Sequence, residues 1–264
     1  MNKKYILTAA IIVIAMLIFS CKTPATTTVV MAETTTGLTP EQEYHFGRAV
    51  SANILSSYSI WNGNMRLVNY INLICNAIAI NSPRPNIFNG YRVAILDSNE
   101  INAFSTSGGH IFLTLGLVNA IRSEDALAAI LAHEIAHIQL RHSVTQILLE
   151  IDTPDVNELT AIFNESVEEI VTMLVTNGYT QSQEFEADDL ALNLMAWAGY
   201  NPKSYLDMLR DLSIAQNRSR GGFNNTHPTP AQRAENVEVL IGSFNMPDTR
   251  VHRQIRFVSV GMSR

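Results

Sequence analysis

Cysteine is nearly absent from this chain of 264 residues: it has only Cys21 and Cys75. Two thiols cannot make a disulfide framework, which excludes the small cross-linked extracellular scaffolds. Charge is sparse as well, at 16% of residues, below the roughly 25% of an average globular chain. The formal balance is −6, and the one basic run is Lys3-Lys4. Phosphate binding needs clustered Lys and Arg, so nucleic acid is excluded as a partner. Long apolar runs are missing after the first twenty residues, and no later stretch reaches the length of a bilayer-spanning helix. Hydrophobic residues are abundant at 47%, enough for one well-buried domain and too many for a disordered chain.

The N-terminus reads as an export signal. Asn2-Lys3-Lys4 is a basic start, and Tyr5 to Phe19 is an apolar run of 15 residues, the length of a secretory core. It ends in Leu17-Ile18-Phe19-Ser20-Cys21, which resembles a bacterial lipobox. Residues 1–20 are then a lipoprotein-type signal peptide, and Cys21 carries lipid. The alternative is an uncleaved signal anchor. Either way the domain is exported and tethered to a membrane, expected in the bacterial cell envelope and facing the periplasm. Residues 21–37, Thr-rich and nearly free of charge, form a flexible tether. The folded domain spans 38–264. Cys75 lies among Ile71, Ile74 and Ile78 at helical spacing, which predicts a buried, inert thiol.

Periodicity predicts a mostly helical α+β domain. Thr39-Pro40 with Gln42 starts a helix running to about Ser57, and Met65 to Ile80 is a second. Tyr91 to Leu96 and His110 to Thr114 are β-prone, giving a small sheet whose last strand, His110 to Thr114, is an exposed edge. Ser123 followed by Glu124 and Asp125 opens the next helix, its acids at the positive end of the dipole. Further helices are expected over 156–175, 182–197, 202–215 and 230–240, with 250–260 as a strand.

The helix after Ser123 carries His133-Glu134-Ile135-Ala136-His137. Residues four apart lie about 40° from each other around a helix, so both imidazoles can converge on one ion. Glu134 is rotated by about 100° from His133, which puts its carboxylate beside an attacking water as general base. A catalytic zinc takes three protein ligands and leaves a fourth position open. Without a metal, these polar groups in an apolar helix would lack obvious partners.

The third ligand is open on spacing alone. A third histidine six residues after His137 would continue one known pattern, but that position is Ser143. His142 points off the metal side of a continuing helix and reads as a surface or capping residue. Two downstream carboxylates remain, Glu165 and Glu184. Glu184 has Asp188 one turn on, able to hydrogen-bond a ligand histidine from behind.

Several segments together resemble the M48 family of membrane-associated zinc peptidases: 101–118, 127–143, QEFEADDLAL at 183–192, AGYNP at 198–202 and HPTPAQR at 227–233. The resemblance implies a zincin-like, gluzincin-type metallopeptidase domain with one Zn2+ per chain on His133, His137 and Glu184, and Asp188 as partner. It maps Asn102, His227 and Arg233 to positions near the metal that stabilise the transition state or hold substrate. His227 would either donate to the oxyanion or swing onto the metal as a gate, with Gly221-Gly222 allowing the movement. The chain is similar to the periplasmic lipoprotein branch.

These readings predict an endopeptidase that binds polypeptides in extended form along the edge strand near His110. Unfolded or misassembled envelope proteins are the expected substrates, and further envelope proteins are candidate partners. The competing expectation is a zinc-stabilised chaperone or assembly factor using the same groove with little proteolysis. Glu134 favours the enzyme, since a pure binder needs no base.

Overall fold

The computed structural model describes residues 38–148, 167–216, 226–247 and 249–262. The signal segment, Cys21 and the tether lie outside the described residues, as do Glu165 and Gly221-Gly222. Helix α1 (Pro40–Ser57) starts on the expected capping box: Thr39 Oγ1 accepts the Gln42 N–H at 3.2 Å, and Gln42 Oε1 accepts the Thr39 N–H at 2.8 Å. Helix α2 (Met65–Ala79) buries Leu67, Ile71, Ile74, Cys75 and Ile78. Burial pushes the Cys75 thiol up to about 12, so it is inert as expected.

Strands β1 (Arg92–Leu96), β2 (Ala103–Thr106) and β3 (His110–Thr114) form one mixed sheet in the order β1-β3-β2. β1 runs parallel to β3, and β2 antiparallel. β3 is therefore the middle strand and not the exposed edge expected for it. Two signals account for the order. The tight Ser107–Gly109 turn, with Gly108 at φ 73° and Gly109 at φ 94°, folds β3 straight back onto β2. The unbroken apolar run Ile111-Phe112-Leu113, buried throughout, is the pattern of a strand covered on both faces. The edge strand beside the motif helix is β2.

Helix α3 (Leu115–Ala120) leads to α4 (Glu124–Gln139), capped by Ser123 Oγ on the Ala126 N–H at 3.1 Å. All of α4 is buried, which explains why the motif sits in a uniformly apolar stretch and not on an amphipathic face. Around it come α5 (His142–Leu148), a helical stretch at 167–172 that ends in a π-turn (Met173–Asn177), α6 (Gln181–Trp197), α7 (Ser204–Gln216), α8 (Pro230–Ile241) and α9 (Arg250–Ser259). The first part of the helix expected over 156–175 lies outside the described residues.

The tail is a helix, not the expected strand. Arg253, Phe257 and Val260 recur at three- and four-residue spacing and turn inward. Arg253 grips Asp125 through two bonds at 2.7 and 2.9 Å, and Arg256 grips Glu124 at 2.5 and 3.1 Å. Only a helical rise sets two arginines three residues apart against adjacent carboxylates at the head of α4. Among the described residues no helix is long and apolar enough to cross a membrane.

Candidate active site

Helix α4 sets His133 and His137 one turn apart, with their Nε2 atoms 3.0 Å from each other. A capping box at Thr180 and Gln183 fixes the start of α6, which brings Glu184 to the same point from the facing helix. Its Oε2 is 3.4 Å from His133 Nε2, and its Oε1 is 3.5 Å from His137 Nε2. Glu184 is fully buried, and Oε1 has no hydrogen-bond donor. Burial opposes its charge, but the neighbouring histidines, His227 first among them, outweigh it and hold the carboxyl well below the usual carboxylate range. A fully buried carboxylate and two imidazole nitrogens within 3.5 Å of one another suit a divalent cation. The donor atoms of His133, Glu184 and His227 also lie within 4.8 Å of one another.

Behind His133 lies a polar cluster. Asp188 Oδ1 accepts from His133 Nδ1 at 3.0 Å, which leaves His133 Nε2 with its lone pair toward the centre. The Tyr205 hydroxyl donates to the same oxygen at 2.6 Å. Arg233 reaches Asp188 with Nη2 at 2.7 Å and Nε at 3.1 Å. Burial would raise the Asp188 carboxyl, yet Arg233 and His133 hold it down at about 2. Arg233 has no solvent exposure, and its bonds to Asp188 set it behind His133.

Glu134 is buried next to His133, and its main-chain oxygen accepts from Ser105 Oγ at 3.1 Å, tying α4 to β2. His227 sits at the centre as well, its Nδ1 2.7 Å from Glu184 Oε2. Its neighbour Thr226 donates to Asn102 Oδ1 at 3.3 Å, so Asn102 anchors the His227 segment just ahead of β2. That approach requires Gly178: at φ 73°, a Cβ there would sit 1.7 Å from the Thr226 carbonyl oxygen. His110 is elsewhere. It opens the middle strand, stacked on Tyr44 with ring centroids 5.3 Å apart, and is not on a sheet edge as expected.

Sequence reasoning missed three residues. Tyr205 left no signal beyond lying near the start of a helix. Tyr179 stacks face to face on His137, centroids 4.2 Å apart and planes within 16°. His142 was read as a surface residue, and the structure overturns this: it is buried, with its Nδ1 2.8 Å from His137 Nδ1. The helix does not continue to it. α4 ends at Gln139, and Arg141 at φ 59° reverses the chain so that His142 returns beneath His137. Burial and the neighbouring His137 push His142 down to about 2, so it stays neutral.

A helix with two histidines four apart, a glutamate between them and a carboxylate from a facing helix is the arrangement of the metallopeptidases. The sequence model of peptidase family M48 matches residues 69–241, and the chain belongs to that family. It is 28% identical over 159 residues to mitochondrial metalloendopeptidase OMA1 of Schizosaccharomyces pombe, covering 58% of this chain and 46% of that one. To metalloprotease LoiP of Escherichia coli it is 23% identical over 192 residues, covering 69% and 73%. To the beta-barrel assembly-enhancing protease of Escherichia coli it is 25% identical over 195 residues, covering 63% and 37%. The chain thus spans under half the length of the first and third of these relatives.

Proposed function

We propose that the protein is a zinc-dependent endopeptidase that cleaves unfolded or misassembled cell-envelope polypeptides. The observation that carries this reading is the convergence of His133, His137 and Glu184, with nitrogens and oxygens 3.0 to 3.5 Å apart and Glu134 next to His133. These three residues would hold one Zn2+, which when bound polarises the scissile carbonyl and eases deprotonation of water. The chain's own residues do the rest. Glu134 takes the proton of the attacking water and delivers it to the leaving amine nitrogen. Asp188 keeps the His133 proton on Nδ1, and Arg233 and Tyr205 keep Asp188 charged and oriented. Substrate lies extended along the outer edge of β2, where main-chain pairing needs no sequence code. That choice of strand rests on β2 being the sheet edge tied to Glu134 through Ser105.

His227 is the gate of this site. Its contact with Glu184 supports that reading, because the ring rests on the carboxylate that would hold the metal. Replacing His227 with Ala then raises basal cleavage of an unfolded protein. A drop of roughly 10²-fold would assign His227 to the oxyanion instead.

The envelope location rests on the lipobox-like segment ending at Cys21 and the apolar run before it. The relative named for assisting β-barrel assembly supports the same compartment and substrate class. The deciding test is turnover of an unfolded substrate by wild type and by Glu134→Gln. The variant is expected to keep one zinc per chain and lose roughly 10²-fold or more in rate. Equal rates would remove the enzyme reading and leave a zinc-stabilised binding protein.

A further inference from the structure

The two ligand histidines are held from behind by different chemistry. His133 has a carboxylate, Asp188. His137 has a second imidazole. The 2.8 Å contact between His137 Nδ1 and His142 Nδ1 is a hydrogen bond in which one ring donates and the other accepts. Glu186, two residues after Glu184 on α6, is the carboxylate that bears on the choice, although it makes no direct hydrogen bond to His142 Nε2. Its Oε2 lies 3.5 Å from His142 Nε2, and a carboxylate there favours a proton on that nitrogen. His142 Nδ1 is then the acceptor, His137 Nδ1 carries the donated proton, and His137 Nε2 keeps its lone pair toward Glu184 and His133.

Three further contacts fix this arrangement. Tyr179 covers one face of the His137 ring, so the ring cannot turn out of the hydrogen bond. The Tyr179 hydroxyl is itself bonded to Ser143, the residue after His142. Arg141, whose left-handed backbone delivers His142, is anchored to Glu43 of α1 at 2.7 Å. Tyr179 thus fixes the His137 ring, while the Arg141–Glu43 pair fixes the backbone that delivers His142.

We propose that His142 is a positioning residue for the metal centre: by accepting the Nδ1 proton of His137 it sets the tautomer and orientation that make His137 a metal ligand, with Tyr179 as the wall. The inference rests on the reading of His137 as a ligand. A neutral imidazole is a weaker acceptor than a carboxylate, so His137 is the less basic and more weakly bound of the two histidines.

Zinc affinity of the full-length protein, measured by competition with a chromophoric chelator, tests this. His142→Leu removes the acceptor and is expected to weaken zinc by about 10- to 100-fold. His142→Asn places an amide oxygen near the lost Nδ1 and is expected to recover most of that loss. Cobalt substituted for zinc should show a shifted visible spectrum in the Leu variant and a near-native one in the Asn variant, a readout independent of turnover. If the Leu variant does not fold, the wild type decides. Nitrogen NMR of the zinc-loaded protein should show a coupling across the His137–His142 hydrogen bond, with the proton on His137. A folded Leu variant with wild-type affinity and cobalt spectrum, or a proton on His142 Nδ1, overturns the proposal. Wild-type zinc affinity in His137→Ala would instead overturn the ligand reading beneath it.

Discussion

Asp188 is where the electrostatics of the centre meet. It accepts from His133, Tyr205 and Arg233, and all four side chains are buried. Removing its charge has two separable consequences. Asp188→Asn weakens the hold on His133 and should cost about 10- to 100-fold in zinc affinity. It also breaks the ion pair of the buried Arg233 guanidinium with Asp188, which should lower unfolding stability. Urea unfolding in the presence of chelator isolates the second effect from the first, and an unchanged midpoint would show that Arg233 finds another partner. At this scale the sequence was informative where spacing along one helix decides the geometry. His133, Glu134 and His137 on α4, and Glu184 with Asp188 on α6, are such cases. Arg233 and Tyr205 reach Asp188 from two other helices, a juxtaposition that no local periodicity encodes.

Among the elements, most helix bounds were legible, and the reversal after α4 was not. Thr39 and Ser123 both cap with a side-chain oxygen, a signal that one or two residues carry. The end of α4 has no glycine; Arg141 takes the left-handed conformation usually left to glycine, held by Glu43. The reversal was therefore invisible, and with it the return of His142. Strand order failed for a similar reason, since local patterns give strands but not which neighbour each takes. The tail illustrates a tertiary choice: α9 closes over the head of α4 because Arg253 and Arg256 satisfy Asp125 and Glu124. Arg253→Ala should therefore destabilise the fold by about 3 to 5 kcal/mol, the consequence of leaving Asp125 buried and unpaired. Thermal or urea unfolding checks it, and zinc content should stay at the wild-type level because the change lies at the far end of α4 from His133 and His137.

Taken whole, the molecule places one buried helix, bearing His133, Glu134 and His137, at its centre and brings further groups to it from outside: Ser105 from β2, Glu184 and Asp188 from α6, Tyr205 from α7, Arg233 from α8 and His227 from the segment before α8. Class, motif helix and mostly helical α+β character were readable because the M48 segments keep their order along the chain. Glu165 and Glu184 remained open on spacing alone, and the fold brings Glu184 to the histidines. Metal analysis of purified full-length variants is the most direct test of the centre. Wild type and Glu165→Ala should each hold one zinc per chain, while Glu184→Ala should hold far less, having lost one of three protein ligands. A full zinc complement in Glu184→Ala, with loss in Glu165→Ala, would contradict the account and move the third ligand to the other segment.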